Sequence, residues 1–308
     1  MAVDHRADDD RLTHDRAARD HGAVDTTDAD DAMSGLDALA LASGPGVSRT
    51  TVVWAAVWPK VAAVTIALLL WQAVVWSGWR PPYALPGPAA VFGELGRLVG
   101  EADFWHSIAT TMRRAAVGFV AATVIGLVVG VATARVRPLR VAIGSLITGL
   151  QTMPSIAWFP LAILLFQLSE QAMYFVVILG AAPSIANGVI GGVDYVPPLL
   201  RNVGRNLGAS GFALYRHVIM PASLPSIVGG LKQGWAFAWR SLMAGELLVI
   251  IAATPSIGAK LDTARQLNQA ESLLAWMVVI LLLGILVDMI FGRANTAIRR
   301  RWGVLDNA

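Results

Sequence analysis

The most informative part of this chain reads Asp194-Tyr-Val-Pro-Pro-Leu-Leu-Arg-Asn-Val-Gly-Arg-Asn-Leu-Gly-Ala-Ser210, continuing Gly211-Phe-Ala-Leu-Tyr-Arg-His-Val-Ile-Met-Pro-Ala-Ser-Leu-Pro225. It is polar, basic and rich in glycine and proline, and strongly apolar sequence lies on both sides of it. Val196-Pro197-Pro198 should end the preceding helix, because proline cannot continue an interior helical turn. The segment is too polar to cross a membrane and is therefore predicted to lie at a surface.

Two short helices fit inside this segment. Leu199 to Leu207 can form the first, with Gly208 as its stop because glycine tolerates the left-handed conformation. Ser210 is placed to cap a second helix, which runs to Ile219 and ends at Pro221. The pair is expected to expose the basic side chains Arg201, Arg205, Arg216 and His217 to a groove on a soluble partner.

The remaining composition is that of a membrane protein. Of the 308 residues, 56% are hydrophobic and only 15% are charged, and the mean hydropathy is +0.59. Soluble domains are nearer ~25% charged. The chain contains no cysteine, so a disulfide scaffold and a thiolate metal site are excluded.

Acidic charge is concentrated at the N-terminus, where positions 4 to 37 hold eleven aspartates. Residues 1–50 are predicted to be a disordered cytoplasmic tail, because they cannot bury enough apolar surface to offset the entropy of ordering. The tail lacks the features of a signal peptide. Its histidines His5, His14 and His21 lack the spacing of metal ligands, so no metal site is expected.

Six segments approach the ~20 apolar residues that a spanning helix needs. They run from Val61 to Trp76, Ala115 to Ala134, Ile147 to Phe166, Ala172 to Val193, Ile227 to Ala252 and Leu273 to Phe291. The predicted fold class is therefore an all-α membrane protein with six transmembrane helices.

The positive-inside rule orients these helices. With the N-terminus inside, the inner segments hold thirteen Arg and Lys residues and the outer segments six. Both termini are therefore expected in the cytoplasm. Arg113 and Arg114 would lie at the outer end of the second helix, where long side chains can extend to the interface.

Several smaller signals predict how the helices pack. The stripe Phe92, Leu95, Leu98 and Val99 predicts an interfacial helix, with a plain loop as the alternative. Gly126-Leu-Val-Val-Gly130 is a small-residue step that permits close helix contact in lipid. Pro154, Pro160 and Pro183 predict breaks or kinks, which either border a translocation path or only aid packing.

The polar segment resembles the EAA loop of bacterial ABC importer permeases. Gly208 matches the glycine of that loop, and Val218, Met220 and Pro221 match its Ile-x-Leu-Pro ending, while Asn202-Val203-Gly204 replaces Glu-Ala-Ala. The resemblance implies cytoplasmic coupling helices that contact an ATPase subunit. The implied coupling residues are Asn202, Gly204, Arg205, Gly208, Ala209, Ser210, Arg216, Val218, Met220 and Pro221.

Other stretches resemble the sulfonate, taurine and nitrate group of these binding-protein-dependent, MetI-like permeases. They are Ala84 to Val91, Gln151 to Leu164 and Trp239 to Leu248. The resemblance implies a first helix and periplasmic segment over 51–103, a permease core over 104–302 with the coupling loop 194–225, and a cytoplasmic tail over 303–308. The implied partners are an ABC ATPase, a periplasmic or lipid-anchored binding protein and a second permease copy, with no nucleic acid.

Motifs of catalysis are missing from the sequence. The chain has no G-x-x-x-x-G-K-[ST] phosphate loop, and none of its three lysines follows a glycine. H-E-x-x-H and G-x-S-x-G are absent as well. We therefore expect no enzyme activity and no cofactor of its own, with ATP bound by the partner ATPase.

Polar groups inside spanning segments are candidates for a translocation path, because their burial in lipid is costly. The candidates are Gln151, Trp158, Gln233, Trp239, Arg240 and Glu246. Arg240 could attract an anion through its planar guanidinium. Alternatively it could pair with Glu246 or Glu170 and only hold helices together.

The resemblance thus implies a multi-pass protein in the inner membrane of a bacterial cell, the permease subunit of an ATP-driven importer for small anions such as aliphatic sulfonates, taurine or nitrate. A precursor of the thiamine pyrimidine is a further possible solute. The rival classes are a secondary transporter driven by an ion gradient, which should show inverted repeats, and a scaffold or receptor subunit that uses the loop only for docking.

Overall fold

The computed structural model describes residues 49–251 and 254–301, and these form helices, turns and short links without any strand. The helices are α1 (Arg49–Trp76), α2 (Pro88–Val99), α3 (Ala102–Arg135), α4 (Arg137–Thr152), α5 (Phe159–Phe166), α6 (Glu170–Asp194), α7 (Pro198–Asn206), α8 (Gly211–Leu214), α9 (Met220–Leu248), α10 (Ile257–Gln266) and α11 (Ala270–Arg301). The chain divides into two compact units at Leu69, the first containing the described part of α1 up to that residue.

Four of the described helices are long and apolar enough to cross a membrane: α1 from Val57, α3, α6, and α11 to Ile298. A fifth span results if α4 and α5 count together, although they meet at a bend of 102°. Met153-Pro154 and the short 3-10 turn Ser155–Trp158 lie at this bend, so the predicted break in the third segment is confirmed. The all-α membrane fold is confirmed as well.

The predicted fifth span corresponds to α9, which has 29 residues and a length of roughly 43 Å at 1.5 Å per residue. It is long enough to cross a bilayer. Lys232, Arg240 and Glu246 lie within it, and it is not among the four helices that qualify by composition. The count of six spanning helices therefore stays a prediction.

Helix α6 lies at the centre of the second unit, packed between α3 and α9. Against α3, a Cβ added at Gly126 would lie 2.8 Å from the Ala182 carbonyl, and one at Gly130 would lie 2.7 Å from Val189 Cβ. The close approach predicted from the Gly126–Gly130 step is thus confirmed. Pro183 lies inside α6 and does not end it.

A second glycine crossing joins α6 to α9. A Cβ at Gly230 would lie only 2.7 Å from the Gly188 Cα, so the two backbones are nearly in contact. Glycine is required here because any side chain would force the helices apart. The two crossings together hold α3, α6 and α9 as one tightly packed layer.

The second unit has two ends, named here by their helices. At the α7 end, α3 and α6 finish and α9 begins beside α7 and α8. At the α10 end, α3 and α6 begin, α9 finishes, and Val91 of α2 and Phe104 of α3 pack with Trp276 of α11. The predicted amphipathic helix near Phe92 is α2 and is confirmed as a helix.

The second predicted segment, Ala115 to Ala134, is only part of α3, which begins at Ala102. The sequence from Ala102 to Arg114 is too polar to be recognised as part of a spanning helix. It nevertheless forms helix, because its apolar side chains pack in the core at the α10 end. The predicted tails, residues 1–50 and 303–308, lie outside the described residues, except for Arg49 and Thr50, which begin α1 instead of belonging to a disordered tail. Ala252, the predicted end of the fifth segment, also lies outside them.

Candidate functional site

The coupling loop, residues 194–225, contains the first predicted short helix as α7. Gly208 follows α7 with φ +85°. The Ala209 amide donates to the Gly204 carbonyl, and the Gly208 amide donates to the Arg205 carbonyl, both at 2.9 Å. This pair of bonds is a Schellman motif. The predicted helix stop at Gly208 is therefore confirmed.

The second predicted helix is part of a longer one, so the expected end at Pro221 is wrong. Ser210 takes the N-cap position of α8, although its side chain makes no capping hydrogen bond. A π-helical turn over Tyr215–Ile219 follows, in which the Met220 amide donates to the Tyr215 carbonyl five residues back. Pro221 has no amide hydrogen and cannot make the hydrogen bond of a regular helical turn. The wider π turn accommodates this missing bond, and α9 continues after it.

α7 folds back onto this continuous helix. A Cβ at Gly204 would lie 2.8 Å from Leu214 Cδ1 and 2.9 Å from Val218 Cγ2, so the crossing requires glycine. The coupling loop has a small apolar core, in which its buried residues Val196, Leu214 and Ile219 pack with Val193 at the end of α6. The loop is therefore a folded unit attached to the bundle.

The structure separates the ten predicted coupling residues by exposure. Five are exposed: Asn202, Arg205, Gly208, Ser210 and Arg216. Ala209, Val218, Met220 and Pro221 are half-buried, and Gly204 is buried. The last five support the shape of the loop, and only the first group can meet a partner directly.

Large apolar side chains occupy much of the exposed surface of the loop, which the sequence analysis did not anticipate. Leu199 and Val203 are exposed on α7, Leu207 is exposed at the C-cap of α7, and Phe212 is exposed on α8. The first three are four residues apart and therefore share one helix face. That spacing could have been found in the sequence.

Two arginines bind the coupling loop to the ends of α3 and α6. The Arg135 guanidinium lies 4.3 Å from the centre of the Tyr215 ring, which is a cation–π contact. Arg201, expected to be exposed, is half-buried instead. Its Nη2 donates to the Val193 carbonyl at 2.5 Å, so this side chain caps the end of α6 rather than facing a partner.

Five of the six path candidates fall into three groups, and the sixth, Glu246, is buried and pairs with Arg114. Gln151 donates to Ser184 Oγ at 2.8 Å and accepts from Asn187, so it joins α4 to α6. Trp158 is half-buried against the apolar core between α3, α6 and α9. Trp239 is buried in that core and stacks with Trp235, with their ring centres 6.2 Å apart.

Gln233 and Arg240 form the third group and lie on an exposed face of α9. This face consists of small and polar residues with one large residue at its end: Ser226, Gly229, Gln233, Ala236, Arg240 and Leu247. Their spacing of three, four and seven residues places them on one side of the helix. The face is named the α9 open face below.

The structure contradicts the pairing proposed for Arg240. Its Nε donates to the Ala236 carbonyl at 3.0 Å, and its guanidinium lies 4.8 Å from the Phe237 ring centre. Among the described residues it makes no ion pair. Glu246 and Glu170, the expected partners, both bind Arg114 instead.

Arg114 is the charged residue whose place the sequence analysis missed. Its side chain is only 1% exposed, so the expected extension to the interface is wrong. It contacts Glu246 at 3.1 Å and Glu170 at 2.9 Å, and it donates to Thr254 Oγ1 at 2.7 Å. Arg113, its neighbour, is exposed as expected and pairs with Glu170 at 3.1 Å.

Charged side chains on the surface of the α10 end also pair with one another. Arg97 donates to Glu94 at 2.7 Å, and this hydrogen bond lowers the pKa of the Glu94 carboxyl. The same contact raises the pKa of the Arg97 guanidinium. Lys260 pairs with Asp103, and Ser272 donates to Glu94. The α10 end is thus a polar surface of mixed charge.

Residues 122–301, which include the coupling loop, the α9 open face and most of the bundle, match a family of transport proteins. The family is described as the binding-protein-dependent transport system inner membrane component. The chain belongs to this family. It is therefore a multi-pass membrane permease, the membrane subunit of an ABC importer.

The relatives of this permease differ in solute. It is 27% identical over 235 residues to the taurine transport system permease protein TauC of Escherichia coli (strain K12), covering 75% of this chain and 84% of TauC. It is 30% identical over 235 residues to the bicarbonate transport system permease protein CmpB of Synechococcus elongatus (strain ATCC 33912 / PCC 7942 / FACHB-805), covering 72% and 82%. The nitrate import permease protein NrtB of Synechocystis sp. (strain ATCC 27184 / PCC 6803 / Kazusa) is 29% identical over 204 residues, covering 62% of this chain and 73% of NrtB.

The fold of the permease is that of a solved transporter. A structure of the MetNI methionine ABC transporter, described as inward facing, matches with a TM-score of 0.55 at 21% identity. The match covers 65% of this chain and 99% of that chain. The resemblance to MetI-like permeases and the permease fold expected from the sequence are both confirmed.

Proposed function

We propose that this permease imports a small oxyanion or a solute that carries one, such as taurine, an aliphatic sulfonate, nitrate or bicarbonate. The observation that carries the proposal is Arg240, an arginine without an ion-pair partner among the described residues, exposed on the α9 open face. The relatives named for taurine, bicarbonate and nitrate support the same solute class. A guanidinium can bind two oxygens of such a group at once.

The α9 open face is proposed to line the path between two copies of the permease. Arginine in contact with lipid near the middle of a span is costly. Gln233 and Arg240 are exposed in a single chain, so a second copy facing them across a water-filled path would remove that cost. Two-fold symmetry would place both α9 helices beside the axis.

The coupling loop is proposed to dock on the ATPase at the cytoplasmic side. Basic side chains gather at the α7 end, as the positive-inside rule requires of a cytoplasmic surface: Arg135, Arg140, Arg201, Arg205 and Arg216. The exposed apolar face of α7 supports burial against a soluble partner. The solute-binding protein would then meet the polar α10 end from the periplasm.

The test of the solute class is uptake by proteoliposomes that contain the permease with its ATPase and binding protein. Radiolabelled taurine, bicarbonate and nitrate are offered separately to the parent and to Arg240→Ala. We expect ATP-dependent uptake of one of them, reduced at least about tenfold by the substitution because a charged hydrogen-bond partner is lost. Arg240→Lys should retain part of the uptake.

The matched control is Lys232→Gln, which removes a positive charge from the same helix at a residue already paired with Asp288 (3.1 Å). It should leave uptake close to that of the parent. ATP-dependent uptake of none of the three solutes by the parent would contradict the proposed solute class. Equal losses in Lys232→Gln and Arg240→Ala would contradict the proposed role of Arg240.

A further inference from the structure

The carboxylate of Glu246 lies at the end of α9 and holds the first turn of α10. The Gly258 amide donates to Glu246 Oε2 at 3.0 Å. Thr111 of α3 donates to the same oxygen at 2.9 Å, and its hydroxyl accepts from the Ile257 amide at 3.0 Å. Three helices therefore meet through two side chains and two backbone amides.

The contact between Glu246, Thr111 and the first turn of α10 is shielded from solvent, and both carboxylate oxygens of Glu246 accept hydrogen bonds. Glu246 and Thr111 are buried, and Arg114 supplies the opposite charge to Glu246 Oε1 at 3.1 Å. A Cβ at Gly258 would overlap the Cβ of Glu246 and lie 2.9 Å from its backbone carbonyl carbon. The backbone at the start of α10 is therefore nearly in contact with the end of α9. A negative group at the start of a helix also interacts favourably with the helix dipole.

The opposite end of the same helix is the coupling loop. α9 runs without a break from Met220 to Glu246, a distance of roughly 39 Å at 1.5 Å per residue. The π turn and α8 continue it into the loop that meets α7. A displacement of the coupling loop would therefore also move α9, whose other end is hydrogen-bonded to α10 through Glu246.

We propose that Glu246, supported by Thr111 and Arg114, is a positioning residue that makes α10 move with α9. Through this contact, a movement imposed on the coupling loop at one side of the membrane reaches the surface at the other side. The inference rests on the proposed docking of the ATPase at the coupling loop. Its structural part, the attachment of α10, can be tested independently of that docking.

The attachment is tested by cysteine labelling, since the chain has no cysteine of its own. Ala264 of α10 is 4% exposed and its neighbour Thr263 is exposed. Ala264→Cys and Thr263→Cys are made separately in the full-length permease in lipid nanodiscs and treated with a water-soluble maleimide. The parent should protect Ala264→Cys, while Thr263→Cys reports the unprotected rate.

Two mild substitutions then weaken the contact: Thr111→Val, which keeps the branched shape, and Glu246→Gln, which keeps the size. Each should speed labelling of Ala264→Cys at least about tenfold, because a hydrogen bond to a charged group is lost. Thr110→Val is the control, since Thr110 takes no part in the contact. Unchanged protection in both variants, or equal deprotection by Thr110→Val, would overturn the proposal.

The coupling is tested by a spin-label distance between Ala236→Cys on α9 and Thr263→Cys on α10. The permease is assembled with its ATPase, and labelled copies are diluted with unlabelled ones. The distance should stay the same with and without trapped ATP in the parent and should become nucleotide-dependent or broadened in Glu246→Gln.

A distance that already changes with nucleotide in the parent would overturn joint movement of α9 and α10. A distance that stays narrow and unchanged in Glu246→Gln would overturn the role of Glu246. Failure of the permease to assemble with any ATPase would instead contradict the proposed function, while the labelling result would still decide whether Glu246 holds α10.

Discussion

Single residues in this permease show how buried charge is tolerated inside a membrane protein. Arg114 and Glu246 are 132 positions apart in sequence, and both are buried. Burying either one alone would be costly because the charge would lose its hydration. The cost is offset because each makes several hydrogen bonds, Arg114 to Glu170 and Thr254 as well as to Glu246. Replacing only one of them should therefore be worse than replacing both.

Arg114→Met is expected to destabilise the permease by about 3–5 kcal/mol, because it leaves Glu246 buried and unpaired. The double change Arg114→Met with Glu246→Leu should recover a large part of this loss. Thermal unfolding of the purified protein in detergent measures both. Arg113→Met is the control, since its pair with Glu170 is exposed and should contribute only about 0–1 kcal/mol. A double variant less stable than Arg114→Met would show that the charges do not act as a pair.

At the scale of the helix, two kinds of surface determine how elements meet. Glycine lets α6 cross α3 and α9 at very short distance. In lipid, where the hydrophobic effect does not drive helices together, the van der Waals contacts made at such a crossing stabilise the helix pair. α7 differs, because its apolar residues Leu199 and Leu207 point away from the protein. Such a face on a helix of only nine residues has no role in the fold of the single chain and fits a partner surface.

Gly230→Ala should weaken the crossing of α6 and α9. The added methyl group would lie 2.7 Å from the Gly188 Cα, and relieving this overlap should cost about 1–3 kcal/mol. The change is measured as a loss of unfolding temperature or of folded yield. Gly191→Ala in α6 is the control because its Cβ meets open space. Equal stability of the two variants would contradict the close crossing.

The exposed face of α7 leads to a prediction about assembly. Leu199→Ser combined with Leu207→Ser should reduce co-purification of the ATPase by at least about tenfold, since two large side chains would no longer be buried at the interface. A polar neighbour outside the predicted coupling residues serves as the control, so Asn206→Ser, also at an exposed position, should retain the ATPase. Undiminished co-purification by the leucine variant would place the docking surface elsewhere on the permease.

At the scale of the whole molecule, one chain leaves the α9 open face uncovered. Its residues are small or polar, and among them Gln233 and Arg240 suit water better than lipid. Two copies facing each other would enclose a polar path between tightly packed layers. The coupling loop and the α10 end lie at opposite ends of α9, so one helix links both of these surfaces to the proposed path.

Single cysteines along this face should reveal the second copy. Ser226→Cys, Gly229→Cys, Gln233→Cys and Ala236→Cys are introduced one at a time and oxidised in membranes. At least one should give a disulfide-linked dimer, because a residue close to a two-fold axis meets its own copy within the ~7 Å that a disulfide allows between Cα atoms. Phe92→Cys on α2 should remain a monomer. Failure of all four to cross-link would contradict a two-fold axis beside this stretch of α9.

The sequence by itself determined the membrane class, the helical fold, the break near Pro154, the stop at Gly208 and the likeness to importer permeases. These follow from local composition, spacing and backbone chemistry, which act over a few residues. The tertiary structure decided which charges meet. Arg114 pairs with Glu246 and Glu170, and Arg240 lies on an open face, because helices distant in sequence pack side by side. It also decided that α8 continues into α9, where Val218 of the π turn before Pro221 packs against Gly204 of α7.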